Sequence, residues 1–252
     1  MVRPAMARPD MVGVIERRIL LNYRLDPEFA AHVLPAGFRP QLVGEAAVGG
    51  VCLIRLGQLR PAGLPAAVGI TTENAAHRLA AERTEPGRTS RCVYIPRRDT
   101  SSRLTVAFGG RLFPGFHYGA RFRVTEEGGS FAVSFQGSDG TGAGVTARLA
   151  TDLPAGSMFD SLQQASTFFR DAPVGYSPGR GDQQQAIELC CASWRVEPLE
   201  VLDAHSNFFE DTRIFPKGTA SVDSAFLMRD LPARWRVPNG EDVADGALVA
   251  GR

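Results

Sequence analysis

The densest group of polar side chains lies in the segment YIPRRDTSSR, residues 94–103. It contains three arginines, one aspartate, three hydroxyl residues and one tyrosine. Because a guanidinium group presents a planar fork of N–H donors, it suits a bound carboxylate or phosphate. The composition predicts an anion site that binds substrate through Tyr94, Arg97, Arg98 and Ser101. Asp99 would act there as a catalytic group, unless the segment is a solvated loop in which Asp99 simply pairs with an arginine.

A second polar group lies in TTENAAHR, residues 71–78. Glu73 and His77 point to the same face of a strand, and on a helix they are neighbours at i and i+4. A carboxylate beside an imidazole is the smallest pair that transfers a proton, so both residues are candidate catalytic groups. On a strand, Asn74 and Arg78 share the opposite face. The alternative is an ordinary polar face that carries an ion pair.

Other catalytic signatures are absent from the sequence. It has no G-x-S-x-G turn and no Walker-type phosphate loop, and the glycine-rich residues 137–144 are typical of a hairpin turn. The four histidines are far apart in sequence, and among them His117 is a further candidate for substrate binding. The four cysteines form no C-x-x-C pair, which indicates free thiols and a reducing, cytoplasmic compartment. We predict neither a cofactor nor a metal site.

The elements that must position these groups are mostly strands. Alternation, β-branched content and turn residues predict strands at 14–24, 39–43, 46–59 (with a kink at Gly49-Gly50), 91–95, 116–125, 131–136, 145–151, 186–202 (interrupted at Glu197-Pro198) and 220–229. Capping residues predict helices at 27–34, 103–108, 157–170 and 206–214, with Phe159, Leu162 and Phe169 facing a core. Residues 60–70 and 96–102 are expected to be loops, and 72–83 is compatible with a helix or a strand.

Composition and charge narrow the class of protein. The 252 residues carry a net charge of +1 and are 44% hydrophobic, which excludes a disordered or collagen-like chain and gives no bulk attraction to nucleic acid. No apolar run is long enough to cross a membrane. We expect one mainly β (α+β) domain over 12–238, flexible tails at 1–11 and 239–252, and a small organic ligand as the partner; the sequence is compatible with a homo-oligomer.

Five segments of the chain resemble a bacterial family of unknown function, the YqjF-like family. These segments are TTENAAHR, YIPRRDTSSRL, GGRLFPGFHYGARF, FFEDTRIFPKG and VDSAFLMRDLP. The family belongs to the acetoacetate decarboxylase-like superfamily, and the resemblance runs from about residue 14 to 235. It implies a single-domain β-barrel or cone with flanking short helices and an internal cavity, and it implies that 72–83 is a strand.

The resemblance also implies a chemistry and a departure from it. Known enzymes of the superfamily act on small oxo-acids through a lysine that forms a Schiff base, beside a glutamate and an arginine. Glu73 matches the glutamate by order of elements, but residues 97–102, which match the lysine region, contain no lysine. Lys217, the single lysine of the chain, lies in a Pro-Lys-Gly turn. We expect a small oxo-acid or related carbonyl compound to be bound, with lyase or isomerase chemistry that uses no imine, or bound and sensed without turnover.

Overall fold

One sheet of thirteen strands makes up most of the computed structural model, which describes residues 9–108, 113–179 and 183–238. The strands are β1 (Met11–Leu25), β2 (Phe38–Pro40), β3 (Leu42–Val43), β4 (Ala46–Pro61), β5 (Ile70–Glu85), β6 (Arg88–Thr100), β7 (His117–Glu127), β8 (Ser130–Gly137), β9 (Gly142–Leu149), β10 (Val174–Pro178), β11 (Gln184–Cys191), β12 (Glu197–Ser206) and β13 (Ala220–Arg236). The α-helices are α1 (Pro27–Val33), α2 (Arg103–Phe108) and α3 (Leu162–Arg170), and a 3-10 turn spans Ala66–Val68.

The sheet closes into rings that share their central strands. One ring runs β6-β7-β8-β9-β12-β13-β1-β4-β5 and is closed by pairing of β5 with β6. A second ring leaves β6 through β10 and β11 and returns to β13. The pairs β6–β7 and β6–β10 are parallel, whereas the other neighbours are antiparallel. The mainly β class with short flanking helices, predicted from the sequence, is confirmed.

Strand β1, which both rings share, buries both of its faces. Along β1, Ile19, Leu21 and Tyr23 enter a core that also receives side chains from β7, β8, β9 and β12, which we call the ring-side core. Leu20, between them in sequence, enters a second core that contains Phe168 and Phe169 of α3, which we call the cavity-side core. Because successive side chains of a strand point to opposite faces, the choice of odd or even position decides which core a residue meets.

Two polar segments, 72–83 and 96–102, lie wholly or mostly in strands. Propensity alone is compatible with a helix or a strand for the first and predicts a loop for the second. Residues 72–83 lie in β5, as the family resemblance implied. The predicted loop at 96–102 is wrong over most of its length, because β6 continues through Thr100. Its last residues pair with β5 on one side and with β7 on the other, so the backbone is hydrogen-bonded on both edges. This pairing holds the polar side chains of the segment at fixed alternating positions.

Several predicted boundaries differ from the structure. Helix α3 begins at Leu162, not near 157, because the Ser161 hydroxyl is the N-cap that accepts the Gln164 N–H. The Ser157 hydroxyl instead bonds to Asp223 of β13. Residues 207–214 form turns and not a helix, and the interruption between β11 and β12 falls at 192–196, ahead of Glu197-Pro198.

The expected kink at Gly49-Gly50 is absent, because the pairing of β4 with β1 and β5 runs through both residues without a register shift. These glycines are needed for space. A Cβ on Gly50 would lie 2.3 Å from the Leu21 carbonyl oxygen. Met11, the last residue of the N-terminal tail predicted at 1–11, is buried and is the first residue of β1. The remaining tail residues, 1–8 and 239–252, lie outside the described part of the chain.

Within the described ranges, no helix is long and apolar enough to cross a membrane.

Candidate functional site

A cavity of about 640 Å³ lies on the cavity-side face of the shared strands. Its floor is formed by β1, β4, β5 and β6, and its cover comes from the end of α3, from β11 and from residues 192–194. The polar lining includes Arg18, Asn74, Arg78, Arg98 and His117, and the aromatic lining is Phe113, Phe169, Trp194 and Trp235. Most of the remaining wall is aliphatic, as is usual for a site that encloses a small molecule.

Three arginines converge on this cavity because strand register places them around one small residue, Cys52. Cys52 of β4 pairs with Leu20 of β1 and with Ala76 of β5, and Ala76 in turn pairs with Arg98 of β6. Arg18 and Arg78 come from the adjacent rows of the same face. The Arg18 Nε donates to the Cys52 Sγ at 3.3 Å.

The partners of these arginines are neutral groups. Arg98 donates through Nε to the Ser177 hydroxyl at 3.1 Å. Arg78 donates through Nη2 to the Asn22 side-chain oxygen, and its guanidinium lies 4.8 Å from the centre of the Phe169 ring. None of the ion pairs among the described residues includes Arg18, Arg78 or Arg98.

Burial lowers the pKa values of three basic side chains that line the cavity. It lowers the pKa of Arg78 and the pKa of Arg98 to about 10, so both remain cations at neutral pH. Burial, and then the Arg98 charge, lower the pKa of His117 to about 4. His117 is therefore a neutral imidazole at pH 7, and its buried Nδ1 has no hydrogen-bond partner among the described protein groups.

Arg97 and Asp99, two residues of the predicted anion site, bind each other, and of the two only Asp99 is among the residues that line the cavity. Arg97 donates to the Asp99 carboxylate from Nε and Nη2, and it also pairs with Asp139 at 2.6 Å. Burial raises the pKa of Asp99, and the Arg97 hydrogen bond opposes that shift. The pairing of Asp99 with an arginine, considered as an alternative from the sequence, is present in the structure, but in a buried strand and not in a solvated loop.

Glu73 lies beside the 94–103 segment but on the ring-side face. Its N–H donates to the Ser101 hydroxyl at 3.0 Å, and the Ser101 N–H donates to the Glu73 carbonyl oxygen at 2.9 Å. Its carboxylate forms an ion pair with Arg17 of β1, which also pairs with Glu126. Glu73 is not among the residues that line the cavity. Glu73 therefore belongs to an ion pair on a polar face, which was the alternative to a catalytic role considered from the sequence.

His77 shares the face of Glu73, as strand alternation predicted, and that face is the ring-side core. The ring is fully buried among aromatic side chains, with its centroid 5.1 Å from Phe208 and 6.0 Å from Phe135. Its Nε2 lies 3.4 Å from the Ser206 hydroxyl. Burial, and then the Arg97 charge, lower the pKa of His77 to about 3, so the imidazole is neutral. The structure does not bring His77 to the cavity.

The remaining predicted residues divide between the two faces. His117 lines the cavity, as does Arg98. Tyr94 is buried in a separate small cluster with Cys92 and Tyr176, and burial raises its pKa. Ser101 is exposed and serves the Glu73 backbone.

Three polar residues of the cavity lining are not among the candidates selected from the sequence. Arg18 was not singled out at all, and Asn74 and Arg78 were recognised only as sharing the face of β5 opposite to Glu73. The available signal was the alternation of β5. If Asn74 and Arg78 share a face with each other and not with Glu73, only one of the two pairs can line a given cavity. Arg18 gave no local signal, because the choice between Arg17 and Arg18 depends on which face of β1 meets the cavity.

This arrangement suits an anion and not an amine-dependent reaction. Three cations without carboxylate partners face one enclosed space, and an arginine is well suited to a bidentate carboxylate. Lys217 is exposed in the turn before β13 and is not part of the lining. Among the described residues no cluster of three or more His, Cys, Asp or Glu side chains is arranged to hold a metal ion.

The fold is that of the acetoacetate decarboxylase-like proteins. The chain is similar to acetoacetate decarboxylase from Legionella pneumophila, with a TM-score of 0.59 and 11% identity over 94% of this chain and 91% of that one. An acetoacetate decarboxylase-like enzyme from Sphingomonas wittichii gives a TM-score of 0.56 and 11% identity, covering 94% of this chain and 96% of the other. The enduracididine biosynthesis enzyme MppR, solved with pyruvate, gives 0.52 and 14%, covering 93% and 90%.

Within this class the chain belongs to the DUF2071 family, described as an uncharacterized conserved protein, whose sequence profile matches residues 15–228. The resemblance found in the sequence is thereby confirmed. No curated protein matches the chain in sequence.

Proposed function

We propose that this protein binds a small organic acid, an oxo-acid or a related carbonyl compound, in the cavity on the shared strands. The observation that carries the proposal is the convergence of Arg18, Arg78 and Arg98 without a carboxylate partner. An unpaired buried cation is costly, so a bound anion is the natural counter-charge. Similarity in fold to MppR, which was solved with pyruvate, supports the same ligand class.

Each polar group of the cavity has a role in this proposal. Arg98 holds the carboxylate, with its unpartnered Nη2 available as a donor. The Trp194 Nε1–H, which is also unpartnered, donates to the carbonyl oxygen, and the Asn74 side chain, whose Nδ2 already donates to Thr72, packs against the ligand. His117, neutral at pH 7, accepts a proton from the carbon next to the carbonyl. The electron pair of the broken C–H bond moves to the carbonyl oxygen, where the nearby guanidinium groups stabilise the enolate.

An alternative function is binding or sensing without turnover. It is favoured by the carboxylates of the cavity wall, because each is already paired. Asp99 is held by Arg97, and Glu188 is paired with Arg236 at 2.7 Å. Glu73 and His77 lie on the other face of the sheet. In this case His117 only orients the ligand.

Calorimetric titration with pyruvate and acetoacetate at pH 7.5 tests the binding proposal. We expect saturable binding by the native protein, at least ten-fold weaker binding by Arg98→Gln, and native affinity in Arg148→Gln. The latter removes an exposed arginine that pairs with Glu200 outside this cavity. Binding that Arg98→Gln leaves unchanged would contradict the proposed site.

A proton-exchange experiment distinguishes catalytic turnover from binding without turnover. After incubation in D₂O, NMR measures deuterium entering the carbon next to the carbonyl of the bound acid. Exchange that is lost in His117→Gln, while affinity stays within three-fold, supports turnover. Tight binding without exchange and without CO₂ release supports the sensing alternative.

A further inference from the structure

The unpaired charge in the cavity exceeds what one carboxylate neutralises, because the other charged residues of the lining, Asp99, Arg170 and Glu188, are already in ion pairs. Arg18, Arg78 and Arg98 contribute three positive charges to one face, and their partners in the protein are a thiol, a thioether, an amide oxygen, a hydroxyl and aromatic rings. Burial is the main cause of the lowered pKa of Arg78, and the positive charge of Arg18 lowers that pKa further, as expected for two like charges that line one cavity. A ligand with a single negative charge would leave most of this repulsion in place.

Unpartnered donors in the wall point to the same kind of ligand. The Arg78 Nε, the Arg98 Nη2 and the Trp194 Nε1 are buried without a hydrogen-bond partner among the described protein groups. All three are donors in every protonation state relevant near neutral pH. A molecule that satisfies them must offer several acceptors, and these donors come from β5, β6 and the covering segment, so the acceptors must be spread across the ligand.

Size leads to the same conclusion. A volume of about 640 Å³ lies in the range of sites that enclose drug-sized molecules, roughly 300–1,000 Å³. A three-carbon acid would fill a small part of it. The cavity-facing side of the aromatic wall, which includes Phe169 and Trp235, would then remain largely uncovered by the ligand.

We infer that the ligand of this cavity carries two separate anionic groups, as a dicarboxylic oxo-acid does, and that Arg18, Arg78 and Arg98 bind them jointly. This inference rests on the proposed function, because it specifies the class of organic acid that the same site takes. One carboxylate lies at Arg98, beside His117, and the second lies between Arg18 and Arg78. The carbon chain that joins them packs over the Cys52 region of the floor.

The test compares ligands that differ in one charge and share one carbon chain. Calorimetric titrations at pH 7.5 use 2-oxoglutarate, its 5-methyl ester, pyruvate and glycerol phosphate, the last placing both charges on one group. We expect 2-oxoglutarate to bind at least ten-fold more tightly than the ester and than glycerol phosphate. The affinity of the dianion should also fall more steeply with added salt than that of the ester.

Variants assign the effect to the arginines. In Arg18→Gln and Arg78→Gln we expect 2-oxoglutarate to lose at least ten-fold in affinity while the ester changes by less than three-fold, and in Arg148→Gln we expect neither to change. Circular dichroism and urea unfolding establish that each variant is folded. A variant that does not fold is replaced by the corresponding arginine-to-methionine substitution, which keeps a long side chain.

The outcomes separate this inference from the proposed function. If pyruvate and the ester bind, Arg98→Gln abolishes their binding, and 2-oxoglutarate binds no more tightly, the site for an organic acid stands and the inference of two anionic groups is overturned. Glycerol phosphate binding as tightly as 2-oxoglutarate also overturns it. If none of the probes binds, both proposals are overturned.

Discussion

Arg97 and Arg98 are consecutive residues of β6 and occupy opposite electrostatic environments. Arg97 is held by the carboxylates of Asp99 and Asp139, whereas Arg98 meets the Ser177 hydroxyl and has an Nη2 without a partner. Burial opposes the charge of Arg97, but the hydrogen bonds that Arg97 donates to the two aspartates outweigh burial and raise its pKa, whereas burial lowers the pKa of Arg98. One arginine is satisfied by the protein, and the other is available to a ligand.

This contrast predicts opposite effects of the same substitution at the two positions. Arg97→Gln leaves the fully buried Asp99 carboxylate without its cation, so the free energy of unfolding should fall by about 3 kcal/mol. Arg98→Gln removes a partly buried cation without a carboxylate partner, so ligand-free stability should be unchanged or higher, and ligand affinity should fall. Urea unfolding and calorimetry measure the two quantities. A large loss of stability in Arg98→Gln would show that Arg98 is a structural residue.

The class of fold was predicted correctly from the sequence. Alternating strands between 116 and 151 and the polar strand β5 follow from local patterning and family resemblance. Which face of a strand meets a cavity is a different matter. It depends on the register of β1, β4, β5 and β6 against one another and on the position of α3, and neither is encoded locally. For this reason the candidates selected from the sequence include Arg98 and His117, which line the cavity, but not Arg18, which lines it too.

Glu73 and Asn74 show why the face of a strand that lines a cavity is hard to predict from the sequence. They are neighbours on β5, and family resemblance favoured the acidic one. The carboxylate of Glu73 is already bound to Arg17 on the ring-side face, whereas the amide of Asn74 lines the cavity. A sequence motif identifies the residues of a strand, but which alternate half of them lines the cavity depends on how the strand packs in the fold.

Substitution of Glu73 should therefore affect stability more than binding. Glu73→Gln breaks the ion pair with the buried Arg17, which keeps Glu126 as a second partner, so we expect the free energy of unfolding to fall by about 1–3 kcal/mol. Affinity for an organic acid should stay within about two-fold. Asn74→Ala is the matched variant on the other face, and it should weaken binding. The reverse pattern would place the ligand on the ring-side face.

The protein should lose stability as the pH falls below about 6.5. The folded-state pKa of His77 is about 3 and that of His117 about 4, both below the ordinary value of 6.5, so the unfolded chain takes up protons that the folded chain does not. Each histidine therefore lowers the free energy of unfolding by up to about 1.4 kcal/mol per pH unit, from about 6.5 down to its own folded pKa.

Urea unfolding between pH 4.5 and 7.5 measures this slope. His117→Gln should make it shallower, and substitution of the exposed His205 by glutamine should leave it unchanged. Acidic groups such as Asp139, whose pKa Arg97 lowers to about 2, add the same sign of dependence only at lower pH. A flat profile between pH 5 and 6.5 would contradict the buried, neutral state of both histidines.

Gly50 should not tolerate a side chain. Its Cβ would lie 2.3 Å from the Leu21 carbonyl oxygen and 3.0 Å from the Arg78 Nη2. Because the first contact is with backbone, we expect Gly50→Ala to lower the free energy of unfolding by about 1–3 kcal/mol. It should also weaken ligand binding by displacing Arg78. Gly119→Ala is the matched control, because Gly119 also lies in a strand without a positive φ and its added Cβ would meet only Val106 Cγ2, at 3.7 Å.

No lysine imine should form on this protein. An imine requires a primary amine with a lowered pKa next to the substrate. Lys217, the single lysine of the sequence, is exposed in the turn before β13 and does not line the cavity. Arginine does not replace it, because the guanidinium group stays protonated and is not a nucleophile near neutral pH. Incubation with pyruvate or acetoacetate, followed by borohydride, should therefore leave the intact mass unchanged, and Lys217→Arg should bind ligand with native affinity. A reduced adduct mapped to Lys217, together with loss of turnover in Lys217→Arg, would restore the Schiff-base mechanism and contradict the lysine-free site.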